Sequence, residues 1–453
     1  MNQKLPVKYK EAYVVTVDMG YGHQRALAPL HDIAAAPVGW ADATVITANR
    51  YPGIPASDRR TWEGTRKLYE RISRLKQLPL IGNAIFDLMD YFQRIEPYYP
   101  KRDLSRPIMQ VSQIYRMIRG GWGKSLIDTL NQRPLPFLTS FFTTAFFAEE
   151  HGYKGPIYCL CTDTDISRAW APLDPKKSRI IYLAPNKRVK QRLELYGIKP
   201  ENIIATGFPL PKENIGKNLS ILKQSLGTRI SHLDPHGIYQ KKYETMLHSY
   251  LGAKYCNVKD SQPLTITFAI GGAGAQREIG KDILESLKTH IKQGTVRLQL
   301  VAGVRNDVYR FYQDVVKELK LTQCLGKTIV ILYAEDKASY FTQFNHALLT
   351  TDILWTKPSE LSFYAGLGLP IIIAPTIGSQ EEYNRAWLHS IGAGFEQEDP
   401  KYTHQWLFDW LESGWLAQAA MEGFLNAPHN GAYHVEDVVL RGKRSEIEET
   451  HLL

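Results

Sequence analysis

The chain has 453 residues, 44% of them hydrophobic and 22% charged, a length and balance that favour two sizeable globular domains and exclude a chain disordered by composition. Four cysteines, the closest pair spaced C-L-C at Cys159 and Cys161, are too few for a disulfide scaffold and wrongly spaced for a zinc ribbon or a thioredoxin-like centre, so a reducing cytoplasm is the expected compartment. The formal charge is +9, and sixteen basic residues against eight acidic ones between 50 and 133 carry nearly all of the excess.

The first residues, MNQKLPVKYKEAYVV, lack a secretory apolar core and lead into a strand at Tyr13–Val17. A glycine turn, Gly20-Tyr21-Gly22-His23, follows, and an apolar helix is expected over Ala26–Ala36. Strand, glycine loop and helix in that order open a nucleotide-binding type of α/β unit. Ala43–Thr47 is expected to be the second strand.

The basic stretch comes next. Trp62, Leu68, Tyr69, Ile72 and Leu75 recur at helical spacing, with Arg66, Lys67, Arg71, Arg74 and Lys76 between them. Two readings stay open. One is a basic amphipathic helix lying on an anionic lipid surface through segment 59–119, which would make the protein peripheral at the inner face of a membrane. The other is a core-facing helix with solvated charges. No recognised nucleic-acid module accompanies the charge, so nucleic acid is not an expected partner.

Further strands are expected at Gly155–Cys161, Arg179–Leu183 and Ile203–Thr206, with a helix near Asn186–Tyr196. Segment 212–262 is polar and holds no strong strand, as an interdomain connection with a helical insertion would. The pattern restarts at Leu264–Ile270, which runs into Gly271-Gly272-Ala273-Gly274-Ala275-Gln276 and a helix to about His290. Strands are expected at Val296–Val301, Thr328–Leu332, Ala347–Thr351 and Pro370–Ala374. The uncharged run Leu361–Gln380 shows no membrane span, because Pro370 and Pro375 interrupt it. The expected domains are 1–211, 263–400 after the 212–262 connection, and C-terminal helices over 401–453 that pack toward the first domain.

Two glycine loops carry the chemistry. Glycines at Gly271, Gly272 and Gly274 would let backbone N–H groups and a helix start approach phosphate oxygens, with a tight strand-to-helix turn as the lesser alternative. The loop is neither a P-loop nor G-x-G-x-x-G. His23, at the mouth of the first turn, is either structural or a general base.

Together these segments resemble the two-domain GT-B glycosyltransferases, most closely the group of monogalactosyldiacylglycerol synthases and processive diacylglycerol glucosyltransferases. The family's G-G-G-H-x-x-A is similar to Gly20-Tyr21-Gly22-His23-Gln24-Arg25-Ala26. Its T-D-x-x-x-x-H-x-x-W is similar to Thr162-Asp163 through Trp170, one residue shorter, with Arg168 near the histidine position. Its second glycine loop matches Gly271 to Gln276. Its T-K-x-G-P-G-T…E…G-L-P resembles Thr356–Glu360 up to Pro370, and its G-Q-E-x-x-N resembles Gly378 and Gln380–Asn384 with Ser379 inserted.

The resemblance implies an α/β protein of two Rossmann-like domains facing each other across a cleft. It implies an inverting transfer from a nucleotide sugar, a uridine diphosphate sugar in that family's usual chemistry, to a lipid-linked acceptor hydroxyl, with no obligatory cofactor or metal. His23 would take the acceptor proton and Asp163 would orient it or the acceptor; Gly20 and Gly22 shape that turn. Gly271, Gly272, Gly274 and Gln276 would face the diphosphate, Glu360 the ribose hydroxyls, Gln380, Glu381 and Asn384 the sugar, and Tyr333 the base. Ordinary structural readings remain beside these: a strand-end turn for Asp163, a first-turn acid for Glu360, solvated polarity for 380–384 and core for Tyr333. Rival functions are a metal-dependent transferase using Asp163-Thr164-Asp165 as D-x-D, a uridine-sugar epimerase of the same fold, and a non-catalytic nucleotide-sugar-binding protein.

Overall fold

The computed structural model describes residues 9–75, 94–256, 258, 260–269, 276–376, 379–444 and 447. They form two compact units. The first comprises Met1–Pro209, Gly378–Tyr383 and Asn430–Leu452, and the second Leu210–Ile377 and Asn384–His429.

The first unit is built on β1 (Tyr13–Thr16), β2 (Ile46–Thr47), β3 (Phe137–Thr139), β4 (Ile157–Leu160), β5 (Ile181–Ala184) and β6 (Ile203–Ala205). All pair in parallel, in the order β2-β1-β3-β4-β5-β6. Helices cover the faces, so strands such as IYCL at β4 are apolar on both sides and fully buried. The strand order reverses between β1 and β3. β3 is not legible in the sequence: it is three residues long and hemmed by Pro134 and Pro136, too short to show alternation.

The second unit has β7 (Leu264–Ala269), β8 (Val296–Gly303), β9 (Ile329–Tyr333), β10 (Ile353–Thr356), β11 (Ile371–Ile373) and β12 (Gly394–Glu396). They too are parallel, in the order β12-β11-β10-β7-β8-β9, with the reversal between β7 and β10. This is the doubly wound order of dinucleotide-binding sheets. The α/β class of two Rossmann-like units is therefore present.

Four expectations need correction. Ala347–Thr351 is not a strand; it closes a helix, Lys337–Leu348, whose first turn is capped by Asp336 accepting from Ser339 N–H at 2.9 Å. The helix expected over Ala26–Ala36 is α-helical only to Leu27 and continues as a 3₁₀ turn to Ile33, around Pro29. Segment 212–262 belongs to the second unit rather than connecting two others. Its helix Ser220–Leu233 sends the buried Arg229 into that unit, donating to the carbonyls of Thr351 and Leu367, each at 2.8 Å. The C-terminal helices divide: Thr403–Glu412 and Trp415–Asn426 lie in the second unit, with Trp406 against Trp355 at 5.3 Å, and only Gly431–Arg441 lies in the first. Gly423 lets its helix pass over the Ala365 carbonyl, which a Cβ would meet at 2.5 Å.

The basic stretch contributes side chains to the first unit's core; the side chains of 66 and 68–75 lie outside the described residues. Its helix runs Ala56–Leu75, and Trp62 is only 4% exposed, edge-on to Trp122 at 4.7 Å. Trp62 is thus no membrane anchor. Helix Met109–Arg119 likewise buries Val111, Ile114, Tyr115 and Ile118. Arg59, Arg60 and Lys67 remain exposed. The expected interfacial segment also includes residues 76–93, which lie outside the described residues.

Candidate functional site

The loop after β1 turns at Gly20, whose φ of +89° lies in the region open to glycine. The helix Gly22–Leu27 then starts, and half-buried His23 stands on its first turn. The ring is fixed from β3. Nδ1 of His23 lies 2.8 Å from the Ser140 carbonyl, and the Ser140 hydroxyl donates to the His23 carbonyl at 2.8 Å. A carbonyl can only accept, so Nδ1 carries the hydrogen and the neutral ring keeps its lone pair on Nε2. Phe141 meets the ring edge-on at 4.9 Å, and Trp170 lies at 6.3 Å. His23 and Ser140 follow the two strands between which the order reverses, the position where open α/β sheets bind ligands. Ser140 was missed from sequence because its strand was.

Asp163 stands half-buried in the loop after β4. Its neighbour Asp165 is buried and gripped at both oxygens by Arg192, Nε at 2.8 Å and Nη2 at 2.7 Å. A buried carboxylate already paired with a guanidinium at both oxygens is a poor cation ligand, which weighs against the D-x-D reading. Arg192 also donates to the Glu96 carbonyl at 2.8 Å. Arg168, near the family's histidine position, is a buried clamp on carbonyls: Ser105 at 2.7 and 3.1 Å, Ala171 at 2.6 Å and Pro172 at 3.0 Å. Burial pushes its guanidinium below the ordinary arginine value.

In the second unit the reversal lies at β7 and β10, tied at their carboxyl ends by the Thr356 hydroxyl donating to the Ala269 carbonyl at 2.9 Å. Gly271, Gly272 and Gly274 lie outside the described residues. Gln276, which follows them at φ +71°, donates from Nε2 to the Pro375 carbonyl at 2.7 Å, so the exit of the glycine segment is tied to the end of β11. Glu360, half-buried, opens the turn Glu360–Leu367 directly after β10 and its short loop. Asn384 is buried, and its Nδ2 lies 3.4 Å from the Pro358 carbonyl; Gln380 and Glu381 are half-buried one turn earlier on helix Ser379–Ser390. Gln276 and Glu360, beside the loops that follow β7 and β10, and Asn384, on the helix that follows β11, thus belong to segments that leave one end of the sheet. Tyr333 is further out. It ends β9, two strands from β7 and hence about 10 Å away, and stacks on Tyr309 at 4.9 Å.

A family model, a domain of unknown function (DUF6938), matches residues 252–328, which include β7 and β8. No curated protein matches the chain. Among solved structures it is similar to the Staphylococcus aureus MnaA–UDP co-structure, at 12% identity over 97% of this chain and 100% of that one, with a TM-score of 0.48. It is similar to MurG of Acinetobacter baumannii at 12% identity over 95% and 99%, TM-score 0.44. The glycosyltransferase SnogD from Streptomyces nogalater gives 13% identity over 96% and 100%, TM-score 0.41. At such identities and TM-scores the likeness is no guide to chemistry; the residues of this chain are.

Proposed function

We propose that the chain is an inverting GT-B glycosyltransferase that moves a sugar from a uridine diphosphate sugar to an acceptor hydroxyl, on the plan of the diacylglycerol-sugar synthases whose motif order it resembles. The observation that carries the proposal is His23 at the reversal point of the first sheet, its Nδ1 hydrogen committed to the Ser140 carbonyl. An imidazole in that tautomer presents a base through Nε2.

In this mechanism the acceptor proton passes to His23 Nε2 as the acceptor oxygen bonds to the anomeric carbon. The bond from that carbon to the diphosphate breaks, and the diphosphate leaves with the electron pair. Gly272 and Gly274, with the helix start at Arg277, would bear the growing phosphate charge. Glu360 would accept from the ribose hydroxyls, Gln380, Glu381 and Asn384 would hold the sugar, Tyr333 would flank the base, and Asp163 would orient the acceptor. The acceptor side is proposed to work at an anionic membrane surface, supported by Arg60 and Lys67, exposed on the Ala56–Leu75 helix. No helix among the described residues is long and apolar enough to cross a membrane.

The test is release of uridine diphosphate from a panel of uridine sugars, with and without anionic vesicles. Release that depends on an acceptor is the expected result. A change in the sugar's configuration by NMR without release would establish the epimerase instead, and binding without either would leave a nucleotide-sugar-binding protein.

A further inference from the structure

A cavity of about 570 Å³ opens in the first unit beside the carboxyl ends of β1 and β2. Asn49 pins those two strand exits together: its Oδ1 accepts from Asp18 N–H at 2.9 Å, and its Nδ2 reaches the Asp18 carbonyl at 3.4 Å. The inner wall is apolar and held firmly. Tyr51 stacks on Trp40 at 6.0 Å, Trp62 abuts Trp122 at 4.7 Å, and Ile54 completes the surface. The rim is charged, with Arg50, Arg59 and Glu63 exposed and Asp18 at the strand end.

The composition selects among ligands. Two guanidinium groups are balanced by two carboxylates, so the cavity offers an anion no net attraction, and a phosphate would meet Asp18 and Glu63. An acyl chain would strip water from four charges. A neutral ring bearing several hydroxyls suits every wall: its C–H face can lie on the aromatic side, its hydroxyls can donate to carboxylates and accept from guanidinium groups. The volume falls in the range of small-molecule sites. We infer that this cavity is a saccharide subsite, so that the hydroxyl receiving the transferred sugar sits on a sugar ring. The inference rests on the transferase reading above and adds the acceptor's class. Asp18 begins the loop that places His23 five residues on, so the same loop would hold the acceptor ring and carry the base.

The experiment uses the full chain and saturation-transfer NMR. Methyl β-glucopyranoside, methyl β-galactopyranoside and N-acetylglucosamine are the probes; inorganic phosphate and dioctanoylglycerol are the counter-probes. Arg59→Gln and Glu63→Gln each remove polar partners from an exposed position. Transfer to at least one of the sugars is expected, with affinity reduced about fivefold or more in each variant, the scale of one lost hydrogen bond. Calorimetric binding of uridine diphosphate should stay at the wild-type level. No transfer to any sugar, unchanged affinity in both variants, or displacement of the sugar by phosphate overturns the subsite. Release of uridine diphosphate driven by dioctanoylglycerol without sugar binding overturns it too, while keeping the transferase. Sugar binding in a protein that releases no uridine diphosphate keeps the subsite and defeats the transferase.

Discussion

A neutral histidine that donates through Nδ1 to a backbone carbonyl keeps its basic lone pair on the opposite nitrogen, and the Ser140 carbonyl selects that tautomer for His23. Replacing His23 by Ala should leave uridine diphosphate affinity near wild type and cut turnover by roughly 10²–10⁴, the usual contribution of a positioned base. Full activity in a folded variant would take His23 out of the mechanism. The motif around His23 was legible because glycine spacing is local. Its orienting partner was not, since Ser140 lies 117 positions on and reaches His23 only through strand pairing. Arg168 shows the reverse case. It stands near the motif's histidine position, yet its guanidinium donates to the carbonyls of Ser105, Ala171 and Pro172.

At the scale of elements, helix Ser220–Leu233 is joined to the start of β10 by His232, whose Nδ1 lies 3.0 Å from Asp352 Oδ1. That hydrogen bond holds the His232 pKa above its ordinary value, against burial and Arg229, with the charges of Asp352 and Asp260 assisting. The folded value therefore exceeds the unfolded one. The stabilisation is fully present below the unfolded value of about 6.5 and fades as pH rises through the folded one. Urea denaturation from about pH 6 to 8 should show wild type losing on the order of 1 kcal/mol relative to His232→Gln, the scale of a hydrogen bond to a charged group. Parallel pH profiles for the two proteins would show the pair to be energetically silent. Nothing in the polar sequence of 212–262 indicated this contact, because Asp352 lies 120 positions away.

For the whole molecule, the second unit begins at Leu210 and not at the strand where its sheet begins. A fragment spanning 263–400 would lose the helix Ser220–Leu233, with its buried Leu222, Leu226, Ile230 and Leu233 and the Arg229 bonds to the carbonyls of Thr351, Leu367 and Gly368. It would also lose the helix Trp415–Asn426 that lies against Ala365 through Gly423. Each fully buried aliphatic side chain contributes about 1.5–3 kcal/mol, against a total stability of about 5–15 kcal/mol. The 263–400 fragment should therefore give no cooperative urea transition by circular dichroism, whereas 210–429 should. A cooperative transition in the shorter fragment would mean that the added helices do not support the sheet.

Local pattern was enough for much of this protein. Apolar runs ending in glycine loops identified β1 and β7, and their recurrence in one chain identified two α/β units. Such signals lie within about ten residues of each other and need no partner to be read. Tertiary structure alone decided what pairing and burial decide. It inserted the short β3 beside β1, decided for Trp62 between a lipid surface and the core, and closed Asp165 with Arg192. It also bound the polar 212–262 stretch to the second unit through one buried guanidinium. In each case the deciding partner lies 27 or more positions away in the chain, and a hydrogen bond or ring contact to a distant partner leaves no trace in local periodicity.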